Sequence, residues 1–147
     1  MIHIAQADST DLDQLATLFD DYRAFYGQPG NFEECRTFLS ERFSSREAIL
    51  FKASIDHMIV GFTLLYPSFS SVAMAPIYIL NDLFVKPEAR KKGVASALLE
   101  KAVTHARETG AIRLQLETGN ENTGAQALYE KLGWKRDSAY LHYSISI

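Results

Sequence analysis

One stretch decides the fold of this chain: Leu83-Phe84-Val85-Lys86-Pro87-Glu88-Ala89-Arg90-Lys91-Lys92-Gly93-Val94-Ala95-Ser96. An apolar strand ends at Pro87, a basic turn follows, and Gly93 leads into a helix that opens with small residues. The first N–H groups of a helix have no partner within it, and the aligned peptide dipoles place partial positive charge at that end. The stretch therefore predicts an anion site built from backbone, suited to a pyrophosphate.

The side chains of the turn support this prediction without proving it. Gly93 allows close backbone approach to a phosphate, and the three preceding cations add charge without needing strict geometry. The plain alternative is a solvated basic turn that only starts a helix. The turn matches neither a P-loop, since no Gly-Lys-Ser/Thr follows, nor a dinucleotide fingerprint, since it lacks the three glycines.

Strand and helix patterns alternate around this turn. We predict, in order, a strand Ile77–Val85 buried on both faces, a helix from Gly93 to Gly110, a strand Ile112–Glu117, a helix Asn122–Leu132 and a final strand Leu141–Ile147. The apolar face of the first helix consists of Ala95, Leu98, Leu99, Ala102 and Ala106. This alternation indicates an α/β layer with a parallel element.

The first half of the chain predicts hairpins and two helices. In order, we expect a strand Ile2–Ala7, a helix capped by Ser9 or Thr10 and running to Tyr26, a helix Phe32–Phe43 capped by Asn31, a hairpin of Glu47–Ser54 with His57–Tyr66, and a loop Pro67–Pro76. The hairpins predict a mixed sheet. No repeat or linker interrupts the pattern, so we expect a single domain over 1–147.

Composition excludes several classes of protein. The 147 residues suffice for a two-layer core, and a net charge of −3 provides no global field for nucleic acid. The single cysteine, Cys35, excludes an internal disulfide framework and fits a reducing compartment. No signal peptide and no apolar run of about 20 residues is seen, so we expect a cytoplasmic protein without a membrane span. The histidines lack metal-ligand spacing, so no metal is predicted.

The later helix carries two polar side chains at a suggestive spacing. Asn122 and Tyr129 are two helical turns apart and share a face, with the small residue Ala125 between them. A tyrosine keeps its proton at neutral pH and is able to deliver it to a leaving group. The alternative is that Tyr129 packs in the core beside Leu128 and Leu132.

Together, the two motifs resemble the signature of a known superfamily. Arg90-x-x-Gly93-x-Ala95 and Asn122-x-x-Ala125-x-x-Leu128-Tyr129-x-x-x-Gly133-Trp134 are similar to those of the GNAT acyl-CoA-dependent N-acetyltransferases, nearest to the polyamine and histone-type diamine branch. The resemblance implies a mixed, mostly antiparallel sheet of six to seven strands. It also implies a central, splayed parallel strand pair and about four helices.

The resemblance assigns acetyl-CoA as co-substrate, without a metal, and implies a site for it. The pantetheine arm would pair with the backbone of Leu83, Phe84 and Val85, and Asn122 would hydrogen-bond it. Tyr129 would protonate the departing thiolate, after direct attack by the amine in a ternary complex. The implied cofactor contacts are Leu83, Phe84, Val85, Arg90, Lys91, Lys92, Gly93, Val94, Ala95, Ser96, Asn122, Ala125 and Tyr129.

The general base stays open at this level. Polyamine-type relatives carry two adjacent acids where this chain has Asn81-Asp82, so Asp82 and Glu117 are both candidates. Asp82 has the alternative role of orienting backbone, and Glu117 that of a surface strand residue. Expected acceptor contacts are Tyr22, Tyr26, Glu33, Asn81 and Glu117, since acids and aromatics suit a cationic amine. An ordinary solvated acidic helix face is the alternative.

We therefore predict an enzyme that acetylates a primary amine, preferably a small cationic one. The alternatives are a protein or peptide N-acetyltransferase and a non-catalytic acyl-CoA-binding sensor. Many relatives dimerise through their C-terminal strands, so the resemblance also suggests a homodimer through Tyr140–Ile147. An internal strand that completes the sheet is the other interpretation of that segment.

Overall fold

The computed structural model describes residues 1–147, and residues 1–116 form the larger of its two compact units. This unit holds one mixed sheet in the order β1-β2-β3-β4-β5, in which β5 runs parallel to β4 and the other pairs are antiparallel. The strands are β1 (His3–Gln6), β2 (Ile49–Ile55), β3 (Met58–Ser70), β4 (Ala75–Val85) and β5 (Leu114–Gln115). The mixed α/β class and its parallel element are confirmed.

The sheet has five strands rather than the predicted six to seven. The missing one is the expected strand at 141–147, which has no regular structure and whose apolar residues Leu141, Tyr143, Ile145 and Ile147 are exposed. Alternating apolar residues make a strand only when a neighbouring backbone pairs with them. The predicted strand Ile112–Glu117 is likewise shortened to Leu114–Gln115.

Two helices follow β1 in the larger unit: α1 (Leu12–Phe25) and α2 (Phe32–Ser45). Asn31 caps α2 as predicted, with its Oδ1 accepting from Glu34 N at 3.1 Å. The predicted Ser9 or Thr10 cap is wrong. Asp8 caps a short 3₁₀ turn ahead of α1, because its carboxylate accepts from Thr10 N at 2.8 Å and Asp11 reciprocates on Asp8 N.

Two successive hairpins build the antiparallel part of the sheet. The predicted turn at Asp56-His57 is confirmed, and both residues have positive φ. The predicted loop Pro67–Pro76 is wrong, because pairing continues to Ser70 and Ala75 and leaves only 71–74 as the turn. The segment is rich in Ser and Ala and is flanked by prolines, which is why its composition resembles a loop, and its larger residues Phe69, Val72 and Met74 are exposed.

The helix α3 (Val94–Glu108) packs its apolar stripe inward. Four of the five predicted core positions are buried, and Val94 takes the place of Ala95. The expectation that β4 is buried on both faces holds only in part, since Tyr78, Ile79 and Leu83 keep intermediate exposure. None of the helices in the chain is both long and apolar enough to cross a membrane.

β4 departs from regular pairing at two places. Opposite Leu64 and Leu65, the register shifts so that Asn81 has no cross-strand partner, which is a β-bulge. On the other edge, β5 pairs only at Tyr78 and Ile79. The segment Leu80–Val85 therefore pairs with β3 on one side and does not pair with β5 on the other. That the parallel pair splays apart here stays a prediction.

Residues 117–147 form the smaller unit. It contains α4 (Thr123–Lys131), which ends near Gly133 at φ +92°. The rings of Tyr129 and Trp134 lie 6.0 Å apart, and the residues beyond Trp134 have no helix or strand. That 1–147 is a single domain stays a prediction.

Candidate functional site

The turn before α3 presents free backbone donors. The first amide of this helix with a backbone acceptor is that of Ala97, which donates to Gly93 O at 3.1 Å. The N–H groups of Val94, Ala95 and Ser96 therefore remain available at the positive end of the helix dipole. Gly93 has φ +86°, and a Cβ placed there would meet nothing within 4 Å, so its backbone conformation rather than space requires glycine.

The three cations of the turn have different surroundings. Arg90 is tied to the end of β4, because its Nε donates to Val85 O at 2.9 Å and its guanidinium lies 5.6 Å from the centre of the Phe84 ring. Lys91 and Lys92 are exposed beside the free amides. Arg90 therefore braces the strand, whereas the lysines supply mobile positive charge to an anion.

Gly61 lets this turn lie close to β4. A Cβ at Gly61 would come within 2.9 Å of Phe84 O and 3.2 Å of Val94 Cγ1. Real Cβ atoms do not come as close as the first distance, so any larger residue would have to displace the β4 backbone at Phe84, and it would also press on Val94 at the start of α3. Gly61 thus lets the start of α3 pack closely on β3 beside β4.

Asp82 is a buried carboxylate beside the β-bulge. It is 5% exposed, and Asn81 Nδ2 donates to its Oδ1 at 3.0 Å. The Tyr22 hydroxyl donates to Asn81 O at 3.5 Å and lies close enough to the Asp82 carboxylate to favour its charged form. Burial raises the pKa of Asp82 above 3.8, while Tyr22 and Asn81 favour the charged form and act against that shift. A buried carboxylate whose pKa is raised is a better proton acceptor than an exposed one.

Tyr22 connects this carboxylate to an aromatic cluster. Its ring centre lies 5.2 Å from that of Tyr26, 5.8 Å from Phe62 and 5.9 Å from Phe84. Burial, and next the charge of Asp82, raise the pKa of the Tyr22 phenol, so it keeps its proton and acts as a donor. Tyr66 is half-buried nearby, and burial followed by the charge of Asp82 raises its pKa too.

The acidic residues of α1 and α2 differ in their surroundings. Asp20 is structural, since its Oδ1 accepts from Asn31 N at 2.8 Å. Glu33 lies in an open cavity of about 330 Å³ on α2, whose lining consists of Glu33, Glu34, Thr37, Phe38 and Glu41. Tyr26 is exposed near the end of α1. Aromatic and acidic surfaces therefore both occur on this helix pair.

The remaining predicted residues belong to the smaller unit. Asn122 caps α4, with its Oδ1 accepting from Ala125 N at 3.4 Å, which leaves its amide nitrogen as a donor. Tyr129 and Ala125 are partly exposed. Glu117 is largely exposed and lies 3.8 Å from His142 Nδ1, so its carboxylate lacks the low-dielectric setting of Asp82.

Thr63 is a polar residue at the site that sequence reasoning missed. It is fully buried on β3, and its Oγ1 donates to Asp82 O at 2.8 Å. The signal is a lone hydroxyl within the apolar run Gly61-Phe62-Thr63-Leu64-Leu65, which a strand pattern alone treats as neutral.

Comparison with known proteins adds to this geometry. Residues 15–134 match the model of the Acetyltransferase (GNAT) family. The chain belongs to the GNAT acetyltransferase family. It is therefore an acetyl-CoA-dependent N-acetyltransferase, and the match covers both the anion turn and the Asn122–Tyr129 helix.

Three similar proteins illustrate the family. The chain is 41% identical to the uncharacterized N-acetyltransferase YhfO of Bacillus subtilis, over 99% of this chain and 98% of that protein. A crystal structure of a probable acetyltransferase, 41% identical, superposes with a TM-score of 0.93 over 99% and 97% of the two chains. The chain is also 37% identical to the thialysine N-epsilon-acetyltransferase of Bos taurus, over 51% of this chain and 44% of the bovine protein.

Proposed function

We propose that this enzyme acetylates the primary amine of a small cationic metabolite, with Asp82 as general base and Tyr129 as general acid. The observation that carries the proposal is the buried carboxylate of Asp82, with its raised pKa, on the strand whose edge is left open. When bound, acetyl-CoA supplies an acetyl group activated as a thioester.

The reaction needs a base because an alkylammonium has a pKa of about 10 and carries no lone pair at neutral pH. Asp82 accepts one proton from the ammonium, directly or through water, and the freed nitrogen bonds to the acetyl carbon. The carbon–sulfur bond breaks, and Tyr129 gives its phenolic proton to the departing thiolate. The nitrogen then loses its second proton, which restores the Tyr129 phenol, so the products are a neutral amide and a thiol. Asn81, in place of a second acid, donates to the Asp82 carboxylate and keeps it ionised before transfer.

Residues of the turn before α3 and of the open edge of β4 would hold the co-substrate. The pyrophosphate would accept from the free amides after Gly93, with Lys91 and Lys92 nearby, and Arg90 would keep the end of β4 in place. The open edge from Leu83 to Val85 offers backbone groups to pantetheine and an N–H to the thioester oxygen. Asn122 would add an amide donor, and Ala125 would leave room for the arm.

Acids and aromatic rings support a cationic acceptor. Tyr22 and Tyr26 offer ring faces, Glu33 lies in the acidic cavity on α2, and Asp82 carries the buried negative charge. Such surfaces attract ammonium groups by charge and by cation–π contact. The thialysine acetyltransferase relative acts, by its name, on an amine of this class.

A thiol-release assay with acetyl-CoA tests the proposal directly. We expect turnover with spermidine or thialysine, and much slower turnover with a neutral monoamine and with short peptides bearing a free N-terminus. Faster turnover of the peptides would instead establish the protein-acetylating alternative. Tight binding of acetyl-CoA without turnover of any amine would favour a sensor.

The acidic cavity has its own matched test. Replacing Glu33 and Glu34 by Gln should raise KM for spermidine about threefold to tenfold and leave KM for acetyl-CoA unchanged, since two exposed charges are removed from the acceptor side only. Glu88→Gln, an exposed acid beside the anion turn, is the control. Equal effects from both variants would remove the cavity from the acceptor site.

Light scattering would test the predicted homodimer.

A further inference from the structure

Thr63 occupies a position where a hydroxyl is costly. It lies in the middle of β3, fully buried, between Phe62 and Leu64, which belong to the core formed with α1 and α2. A hydroxyl removed from water costs free energy unless it finds a partner, and valine has the same shape without that cost. The presence of threonine rather than valine at position 63 is therefore explained by one hydrogen bond, from Thr63 Oγ1 to Asp82 O at 2.8 Å.

The acceptor of that bond lies next to the irregular point of the sheet. The bulge at Asn81 breaks the pairing between β3 and β4, so the ladder alone holds the Asp82 peptide less firmly than its neighbours. Side chains alternate between the faces of a strand, so Thr63 and the pair Phe62 and Leu64 are on opposite faces. The hydroxyl thus reaches the Asp82 peptide without occupying the carboxylate.

We propose that Thr63 is a positioning residue whose hydroxyl fixes the Asp82 peptide at the bulge and so aligns the carboxylate with its donor, Asn81, and with the nearby hydroxyl of Tyr22. This inference rests on the proposed role of Asp82 as general base. The bulge turns the carboxylate toward α1, and the threonine holds it there. A small displacement of a catalytic group lowers the rate strongly, so a single backbone bond is sufficient to matter.

Two substitutions separate positioning from packing. Thr63→Val removes the hydroxyl and keeps the shape, whereas Thr63→Ser keeps the hydroxyl and loses a methyl group. In ¹³C NMR titrations of protein labelled at the aspartate carboxyl groups, the pKa of Asp82 should be higher in T63V than in the wild type, because the groups that favour its charged form lose their alignment. It should be unchanged in T63S. A wild-type pKa in T63V, or equal shifts in both variants, would overturn the inference.

A double-mutant cycle with Asp82→Asn gives the kinetic test, using the amine that the assay above acetylates fastest. T63V should lower kcat about tenfold with KM for acetyl-CoA unchanged, and should lower it no further in the D82N background, because Thr63 acts through Asp82. A full additional loss in the D82N background would contradict this. If T63V does not fold, Thr63→Ala removes the same hydroxyl.

The two hypotheses fail in different ways. Wild-type turnover in D82N would exclude Asp82 as the base, whatever the result at Thr63. Slow turnover in D82N together with unaffected kinetics and pKa in T63V would exclude only the role of Thr63.

Discussion

The anion turn (residues 90–96) and the surroundings of Asp82, here called the Asp82 pocket, border the same strand, β4. The first is built mainly from backbone groups and the second from side chains. The turn uses backbone N–H groups at the start of α3, exposed and supplemented by lysines. The pocket uses side chains: Asp82 is 5% exposed, Asn81 donates to its carboxylate, Thr63 donates to its backbone carbonyl, and Tyr22 lies beside it. Backbone donors survive most substitutions, whereas a buried charge depends on every neighbour.

This difference separates binding from chemistry. Changes in the turn should alter the affinity for acetyl-CoA gradually and respond to salt. Changes in the pocket should alter kcat sharply and leave that affinity intact. The predictions below test this division, from the largest effect to the smallest.

Asp82→Asn should lower kcat roughly 10²- to 10⁴-fold, the usual contribution of a general base, while making the protein more stable at pH 7. The folded-state pKa of Asp82 is raised above 3.8, so its contribution to stability is present below that value and is lost as pH rises through the folded-state pKa. The neutral asparagine avoids that loss, so the Tm of the variant at pH 7 should be higher than that of the wild type. Steady-state kinetics and thermal unfolding measure the two effects. A less stable D82N would contradict the sign.

Gly93→Ala should raise the Kd for CoA about tenfold, because a left-handed backbone costs a non-glycine residue roughly 1–2 kcal/mol and the turn would change its conformation. The control is Gly124→Ala in α4, where a Cβ meets nothing within 4 Å and φ is not positive. Isothermal titration with CoA measures both. An equal loss of affinity in the control would show that the effect is not specific to the turn.

Much of the turn could be predicted from sequence, and much of the pocket could not. Strand, glycine and small residues are local signals that predict the start of α3 after Gly93 and a helix from Asn122, although Asn122 is the cap of that helix rather than part of it. The contact of Tyr22 with Asp82 joins residues far apart in the chain and depends on how α1 packs on the sheet. The bulge that leaves Asn81 unpaired, and the hydroxyl of Thr63, likewise have no periodic signature.

The same reasoning explains the errors. Exposed small residues at 67–76 resemble a loop although their backbone is paired, and the apolar alternation at 141–147 resembles a strand although it lacks a partner. Amino-acid composition indicates whether a segment is buried, whereas a strand is defined by backbone pairing with a neighbour. At the exposed ends of a sheet, the two criteria give different answers.

Charge removal within the turn sharpens the comparison. The double change Lys91→Gln and Lys92→Gln should weaken CoA binding about threefold to tenfold, and the loss should shrink at high salt because these lysines are exposed. Thermal stability should stay the same. Lys135→Gln, also exposed, is the control for a general charge effect.

Arg90→Gln should behave differently from the lysine variants. It removes the donor to Val85 O, so it should lower the free energy of unfolding by about 1 kcal/mol as well as weaken CoA binding. Urea denaturation compares the variants. Equal stability of Arg90→Gln and the double lysine variant would show that the brace on β4 contributes nothing.

Tyr22→Phe should have the smallest effect, a shift of the acidic limb of the kcat/KM profile to higher pH. The phenol lies beside Asp82 and favours its charged form, so its loss should raise the pKa of the base. Tyr66→Phe is the matched control. The charge of Asp82 raises the pKa of Tyr66, but the groups that lower the pKa of Asp82 are Tyr22 and Asn81. A shift in Tyr66→Phe of the same size would contradict the assignment.

The most direct test of the account is the pH dependence of kcat/KM for the wild type, Asp82→Asn and Glu117→Gln with one cationic amine. Asp82 is buried and Glu117 is largely exposed, so only the former should provide the catalytic proton acceptor. We predict that Glu117→Gln retains the wild-type profile, whereas Asp82→Asn loses both the rate and the acidic limb. A profile that survives in Asp82→Asn and disappears in Glu117→Gln would contradict the central role of the buried carboxylate.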